Sequence, residues 1–316
     1  MTMNGKTVPA PKKVSFSKDF RKNWVIYAMF GCLAVYFIIF NYIPMAGIAM
    51  AFEKYSTTKG LFGSKWVGFD NFVKLFTGSG FTIALRNTAA MAVLNLLFGF
   101  FPPIIMAIVF SECRARGFRR FAQICSYMPN FISAVVVCTL LINFLGKDGG
   151  ITLLLSSVFG TQKQNWLAIP DIPVFWIIYA LLGVWIGAGY GSIVYTTSIA
   201  NVNYELKEAS ALDGANRWQR IWYIILPQVL PMAMMMLTMS VGTVFMAGWD
   251  KVLLLYMPKT YKAADVLYTY TYRMAFGNTV DYGLSTASGL FQSIIGTILL
   301  VVSNKINRSA SGYGLF

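Results

Sequence analysis

Histidine is absent from this 316-residue chain. That removes the commonest general base, proton shuttle and metal ligand at once. Charge is scarce too: 12% of residues are Asp, Glu, Lys or Arg and 57% are hydrophobic, where a soluble domain carries about 25% charged residues. The deficit excludes an ordinary water-soluble globule and fits a chain solvated largely by lipid. Cysteine is limited to Cys32, Cys113, Cys125 and Cys138, with no C-x-x-C spacing, so the thiols read as free and supply no disulfide framework. No cluster of His, Cys or paired carboxylates offers a catalytic centre, which argues against a membrane enzyme. Ionisable residues inside the apolar runs are nearly missing, which argues against an ion-coupled secondary transporter.

What is present is a series of long apolar runs, near 24–50, 84–110, 121–145, 173–199, 229–253 and 285–304. Each approaches or exceeds the roughly 20 residues that cross a bilayer core, so the expected fold is all-α, integral to the membrane, with six transmembrane helices. A polar segment, 1–23, precedes them and a short tail, 305–316, follows. Ala49-Met50-Ala51 imitates a signal-peptidase site, but the run before it exceeds the about 7–15 residues of a signal sequence, so it reads as an uncleaved first helix. The net charge of +14 flanks the apolar runs and does not suggest nucleic acid as a partner. Lys and Arg in 1–23, 111–120, 200–228 and the tail outnumber those in the three longer segments on the other side. The positive-inside rule then puts both termini in the cytoplasm, with Arg114, Arg116, Arg119 and Arg120 as the firmest anchor.

Two glycine patterns are decoys. Gly5-Lys6-Thr7 lacks the earlier glycine and the strand of a P-loop, so the chain is not expected to hydrolyse ATP. Gly183, Gly187 and Gly191 recur every four residues in an apolar run, the stripe by which membrane helices approach closely. Ser285, Gly289, Ser293 and Thr297 make a similar stripe. The Met-rich run 232–236 reads as span packing.

The segment 203–227, NYELKEASALDGANRWQRIWYIILP, carries the most information. Residues 203–212 favour helix, and Gly214 suits a left-handed ending. A second helix starts near Asn216, with Trp218, Ile221, Trp222 and Ile225 on one face. The outcome is an angled helix pair beneath the membrane, offering small residues to a partner groove, or else a plain interfacial loop.

Glu208, Ala209, Gly214, Ile224, Leu226 and Pro227 resemble the EAA loop of ABC importer permeases, with Ser210 in place of the second alanine. GFDNFVKLF (68–76), ALRNT (84–88), YMPNFISAVVV (127–137), ADVLYTYTYR (264–273) and GLFQS (289–293) are similar to the LplB/YtcP-type branch, although Asn130, Ala134 and Trp249-Asp250-Lys251 depart from its usual residues. The resemblance implies a type I (MetI-like) importer fold in a bacterial cytoplasmic membrane. It implies a permease for oligosaccharides, complex or plant-derived, with a non-sugar small solute as the alternative. Implied partners are a second, non-identical permease, two ATP-binding subunits that use ATP and Mg, and an extracellular solute-binding lipoprotein; this chain would bind no cofactor or metal. Glu205, Glu208, Ala209, Ser210, Ala211, Asp213 and Gly214 would couple it to the ATPases.

For the substrate path, Thr238, Gly242, Phe245 and Met246 fall near mid-membrane, where transport sites tend to lie, or they are helix packing. Trp249 and Asp250 follow; Asp250 stands about 28 Å along a helix counted from Pro231, lining an outer mouth or ending the helix.

Overall fold

The computed structural model describes residues 16–169, 172–245, 249–312 and 314–316; most of the polar segment 1–23 lies outside them. Two units separate after Ala49. In the first, Asp19 accepts hydrogen bonds from Asn23 Nδ2 at 2.9 Å and Tyr27 Oη at 2.7 Å, joining the helix Phe16–Lys22 to Trp24–Phe37. A π turn at Ile38–Tyr42 comes next, two residues before Pro44. A helical proline deprives the carbonyl four residues back of its donor and crowds it, and the wider turn relieves both.

The second unit is built on one long helix, Ser79–Glu112, along which Ile172–Ala200 packs. Three apolar cores are threaded on it. Phe81 and Ala84 meet Leu75, Leu267 and Tyr270 near its start. Met91 meets Val137, Phe175, Tyr179 and Val252 in the middle. Ile104 and Ala107 meet Tyr195, Ile199, Ile221, Ile225 and Val229 near its end. Two short strands, Glu53–Lys54 and Lys65–Trp66, pair antiparallel with Glu53 opposite Trp66.

Six helical stretches are long and apolar enough to cross a membrane: Trp24–Phe52, Ser79–Glu112, Ala134–Phe159, Val174–Ala200, Arg217–Thr243 and Tyr282–Ser309. Two differ from the runs read in the sequence. The run 121–145 is not one helix. Arg116–Tyr127 is a separate amphipathic helix, Met128–Phe131 is a 3-10 turn around the buried Pro129, and Ser133 caps a new helix, Ala134–Leu145. Hydropathy joined them because the proline turn is itself apolar. The run 229–253 also divides, since Leu226–Thr243 ends and Trp249–Leu255 starts afresh. Asp250 therefore opens a short helix rather than closing a long one, and its distance from Pro231 is not that of a continuous helix.

The glycine stripe packs in part: Gly191 is a close contact, Gly187 is not, and the tightest approach is at Gly189, outside the four-residue spacing. A Cβ on Gly189 would overlap the Ser126 backbone carbonyl, one on Gly191 would lie 3.3 Å from Pro103 Cγ, and one on Gly187 would meet nothing. Gly189→Ala is expected to cost about 1–3 kcal/mol through overpacking, whereas Gly187→Ala is close to neutral. The thermal unfolding midpoints of the two detergent-solubilised variants measure the difference.

Candidate functional site

Asn203 Oδ1 accepts from Glu205 N at 2.9 Å and starts the helix Tyr204–Leu212. Gly214, at φ +76°, turns the chain, and Ala215 N bonds back to Ser210 O at 2.9 Å to close the helix end. Asn216 and Gln219 then form a reciprocal capping box on Arg217–Arg220. The projecting helix is left bare. Glu205, Glu208, Ala209, Asp213 and Gly214 are exposed, Ser210 is half-buried, and Leu212 is 89% exposed. The side chain of Ala211 lies outside what is described. At the base, Arg217 Nε lies 3.2 Å from Glu112 Oε2, tying the pair to the end of the long helix.

The second helix turns Trp218, Ile221 and Trp222 toward one apolar groove, while Ile225 packs in the core beside Ile221. Ile221 and Ile225 are buried, but Trp218 and Trp222 are 70% and 61% exposed. A π turn, Ile221–Ile225, stands two residues before Pro227, where the wider winding accommodates the missing proline donor. The two indoles, with Phe101, Ile105 and Val109, line an apolar groove of about 810 Å³.

The candidates for the substrate path scatter. Thr238 is 1% exposed and sits between helices, accepting from Ser303 Oγ at 3.5 Å and Asn307 Nδ2 at 3.4 Å. A Cβ on Gly242 would lie 2.8 Å from Leu300 Cδ1, and Gly242 O stands 2.9 Å from where one on Gly296 would be. Both residues serve helix packing. Phe245 lines a void of about 20 Å³ with Asn95, Tyr179 and Tyr268, room for about one water molecule. Asp250 is half-buried; Met246 and the Trp249 side chain lie outside the described residues. The expected stripe on the last helix divides as well. Ser285 is buried, donating to Thr271 O, while Ser293 and Thr297 are exposed. The polar residues that face inward there are Ser288 and Gln292, both bonded to Thr271.

At the other end of the long helix, two segments that the sequence marked only by resemblance come together. Asn87, fully buried, donates to Lys262 O at 3.1 Å and Asp265 O at 2.9 Å. Thr88 Oγ1 accepts from Leu267 N at 2.8 Å. Asp265 accepts from Arg273 through both oxygens, at 3.0 and 2.6 Å, and from Thr269 Oγ1 at 2.8 Å. Its hydrogen bonds to Asp265 push the Arg273 guanidinium pKa above its ordinary value, and the charge also lies 5.3 Å from the centre of the Tyr261 ring. No local pattern signals this lock, because its halves are far apart in sequence.

Residues 99–309 match the family described as "Binding-protein-dependent transport system inner membrane component". The polygalacturonan/rhamnogalacturonan transport system permease protein YteP of Bacillus subtilis is 34% identical, over 98% of both chains. Protein LplB of the same organism is 33% identical, over 97% of this chain and 96% of its own. Among solved structures, a chain of a bacterial alginate ABC transporter, in complex with alginate pentasaccharide-bound periplasmic protein, superposes with a TM-score of 0.87. It is 35% identical and covers 95% of this chain and 99% of its own.

Proposed function

This chain belongs to the family of binding-protein-dependent transport system inner membrane components, a multi-pass membrane transport component, and on that premise we propose that it is the permease subunit of an ATP-driven oligosaccharide importer in a bacterial cytoplasmic membrane. The observation that carries the coupling role is the bare helix Tyr204–Leu212, closed by Gly214 and anchored through Arg217 to Glu112. Exposing Leu212 and Ala209 on a preformed convex helix is costly for a lone chain and useful to one that docks in a groove. ATP-binding subunits, which use ATP and Mg, supply that groove. The loop 203–227 and both termini lie on the cytoplasmic side. A second, non-identical permease completes the path, and an extracellular solute-binding lipoprotein delivers the sugar.

The sugar class is supported by the relatives, whose names specify polygalacturonan/rhamnogalacturonan and alginate. Alginate is an acidic polysaccharide, and polygalacturonan is likewise a polymer of sugar acids.

A cysteine at position 208 is expected to cross-link to an ATP-binding subunit in the assembled complex. Glu208→Lys is expected to lower oligosaccharide uptake at least about tenfold, as a reversed interfacial charge costs several kcal/mol. Full uptake together with absent cross-linking would remove the coupling role. Purification of the binding protein with a retained non-sugar solute would replace the substrate class.

A further inference from the structure

Arg86 is a cation fixed in place with no anion to serve among the described residues. Its Nη2 donates to Lys262 O at 2.7 Å and to Asn87 Oδ1 at 3.0 Å, and Nε adds a bond to Asn87 Oδ1 at 3.3 Å. Asn87 is itself held by two backbone carbonyls, so the guanidinium rests on a buried, fully bonded support. Five N–H donors fork from a guanidinium; among the described residues nothing engages Nη1, and Arg86 is exposed. Lys262, whose carbonyl receives Arg86, also has an exposed side chain, and so does Lys259 in the 3-10 turn just before it.

The nearby carboxylate is taken. Asp265 gives both oxygens to Arg273 and one to Thr269. Among the described residues the ion pairs are Arg217–Glu112 and Arg273–Asp265, so Arg86, Lys259 and Lys262 pair with no acid. A surface cation that waves in water has little hold on a ligand; one whose orientation is fixed beforehand loses less freedom on binding. The open edge of an arginine fork fits a carboxylate geometrically.

Position gives the cluster its use. Arg86 stands 26 residues before Glu112 on a single helix, about 39 Å at 1.5 Å per residue, against a hydrocarbon core of roughly 30 Å. Since Glu112 holds the coupling pair, Arg86 lies on the opposite membrane face, where the substrate enters.

We infer that Arg86, with Lys262 beside it, is a carboxylate-reading site at the entrance, selecting oligosaccharides that carry sugar-acid units. This inference rests on the importer reading above and deepens it.

The test uses the whole complex, with both permeases, ATP-binding subunits and binding protein, in proteoliposomes. Uptake of tri-galacturonic acid is compared with that of its fully methyl-esterified form, which has the same rings without the charges. In Arg86→Gln the ratio of acid to ester uptake is expected to fall about tenfold, the consequence of losing a charge-assisted hydrogen bond. Arg86→Lys, which keeps the charge and loses the fork, is expected to fall less, and Lys262→Gln to shift the ratio in the same direction as Arg86→Gln. A merely structural Arg86 would lower both uptakes together, and an unchanged ratio in Arg86→Gln overturns the site. If the unaltered complex imports the ester and not the acid, this inference falls alone. If it imports neither, the importer reading for such sugars falls with it.

Discussion

Gly214→Pro is expected to cut oligosaccharide uptake about a hundredfold while the protein still reaches the membrane. Gly214 sits at φ +76°, and a proline ring fixes φ near −65°, so the native turn is unavailable to it. Proline also drives the preceding residue out of helical geometry, which here is Asp213, whose N–H bonds to Ala209 O. Straining the left-handed turn and losing the Asp213–Ala209 bond together cost about 3 kcal/mol, a roughly hundredfold loss of the intact turn at 1.4 kcal/mol per factor of ten. No membrane-buried contact is touched, since a Cβ on Gly214 would meet nothing within 4 Å. Gly214→Asn supplies the control, because asparagine tolerates the left-handed region and should keep most of the uptake. Measuring uptake and ATP hydrolysis together in proteoliposomes separates the cases; equal loss in both variants would mean that the turn's geometry is not what matters.

Asp265→Ala is expected to destabilise the folded permease by about 3 kcal/mol, the lower end for breaking a buried ion pair from one side. The lower end applies because the Asp265 side chain is 5% exposed but that of Arg273 is 29% exposed, leaving the stranded guanidinium some access to water. Thr269 loses a partner as well. Replacing both charges, in Asp265→Ala with Arg273→Met, should recover much of the loss, since paired removal strands no charge. Thermal unfolding in detergent and the amount recovered from membranes are the readouts. A double variant no better than the single one would show that the hydrogen bonds to Asp265 matter more than its charge.

Much of this molecule was legible because its solvent is lipid. Apolar length located the long helices, and Gly214 located the turn, since each is a local property of the chain. Hydropathy could not see the break after Tyr127, because Met128, Pro129 and Phe131 are as apolar as the helices they separate. Regular winding places Trp218 and Ile221 on one face, and both line the groove, but periodicity does not say that the indole stays exposed while Ile221 is buried. The path candidates Thr238 and Gly242 were chosen by depth, yet depth does not say which side of a helix meets a neighbour. Arg86 was invisible as a site for a different reason. Its significance depends on the Lys262 carbonyl that holds it, 176 residues away, and on Asp265 already being committed to Arg273.

The spine that threads all three cores is clamped at both extremities, by Arg217 upon Glu112 and by the carbonyls of Lys262 and Asp265 upon Asn87. Pro102 and Pro103 interrupt its hydrogen-bond ladder between the two clamps, so the rod bends most readily there. On the proposed coupling, a displacement of the loop 203–227 reaches the Asn87 end along one covalent rod with a single articulation, in place of a relay of contacts.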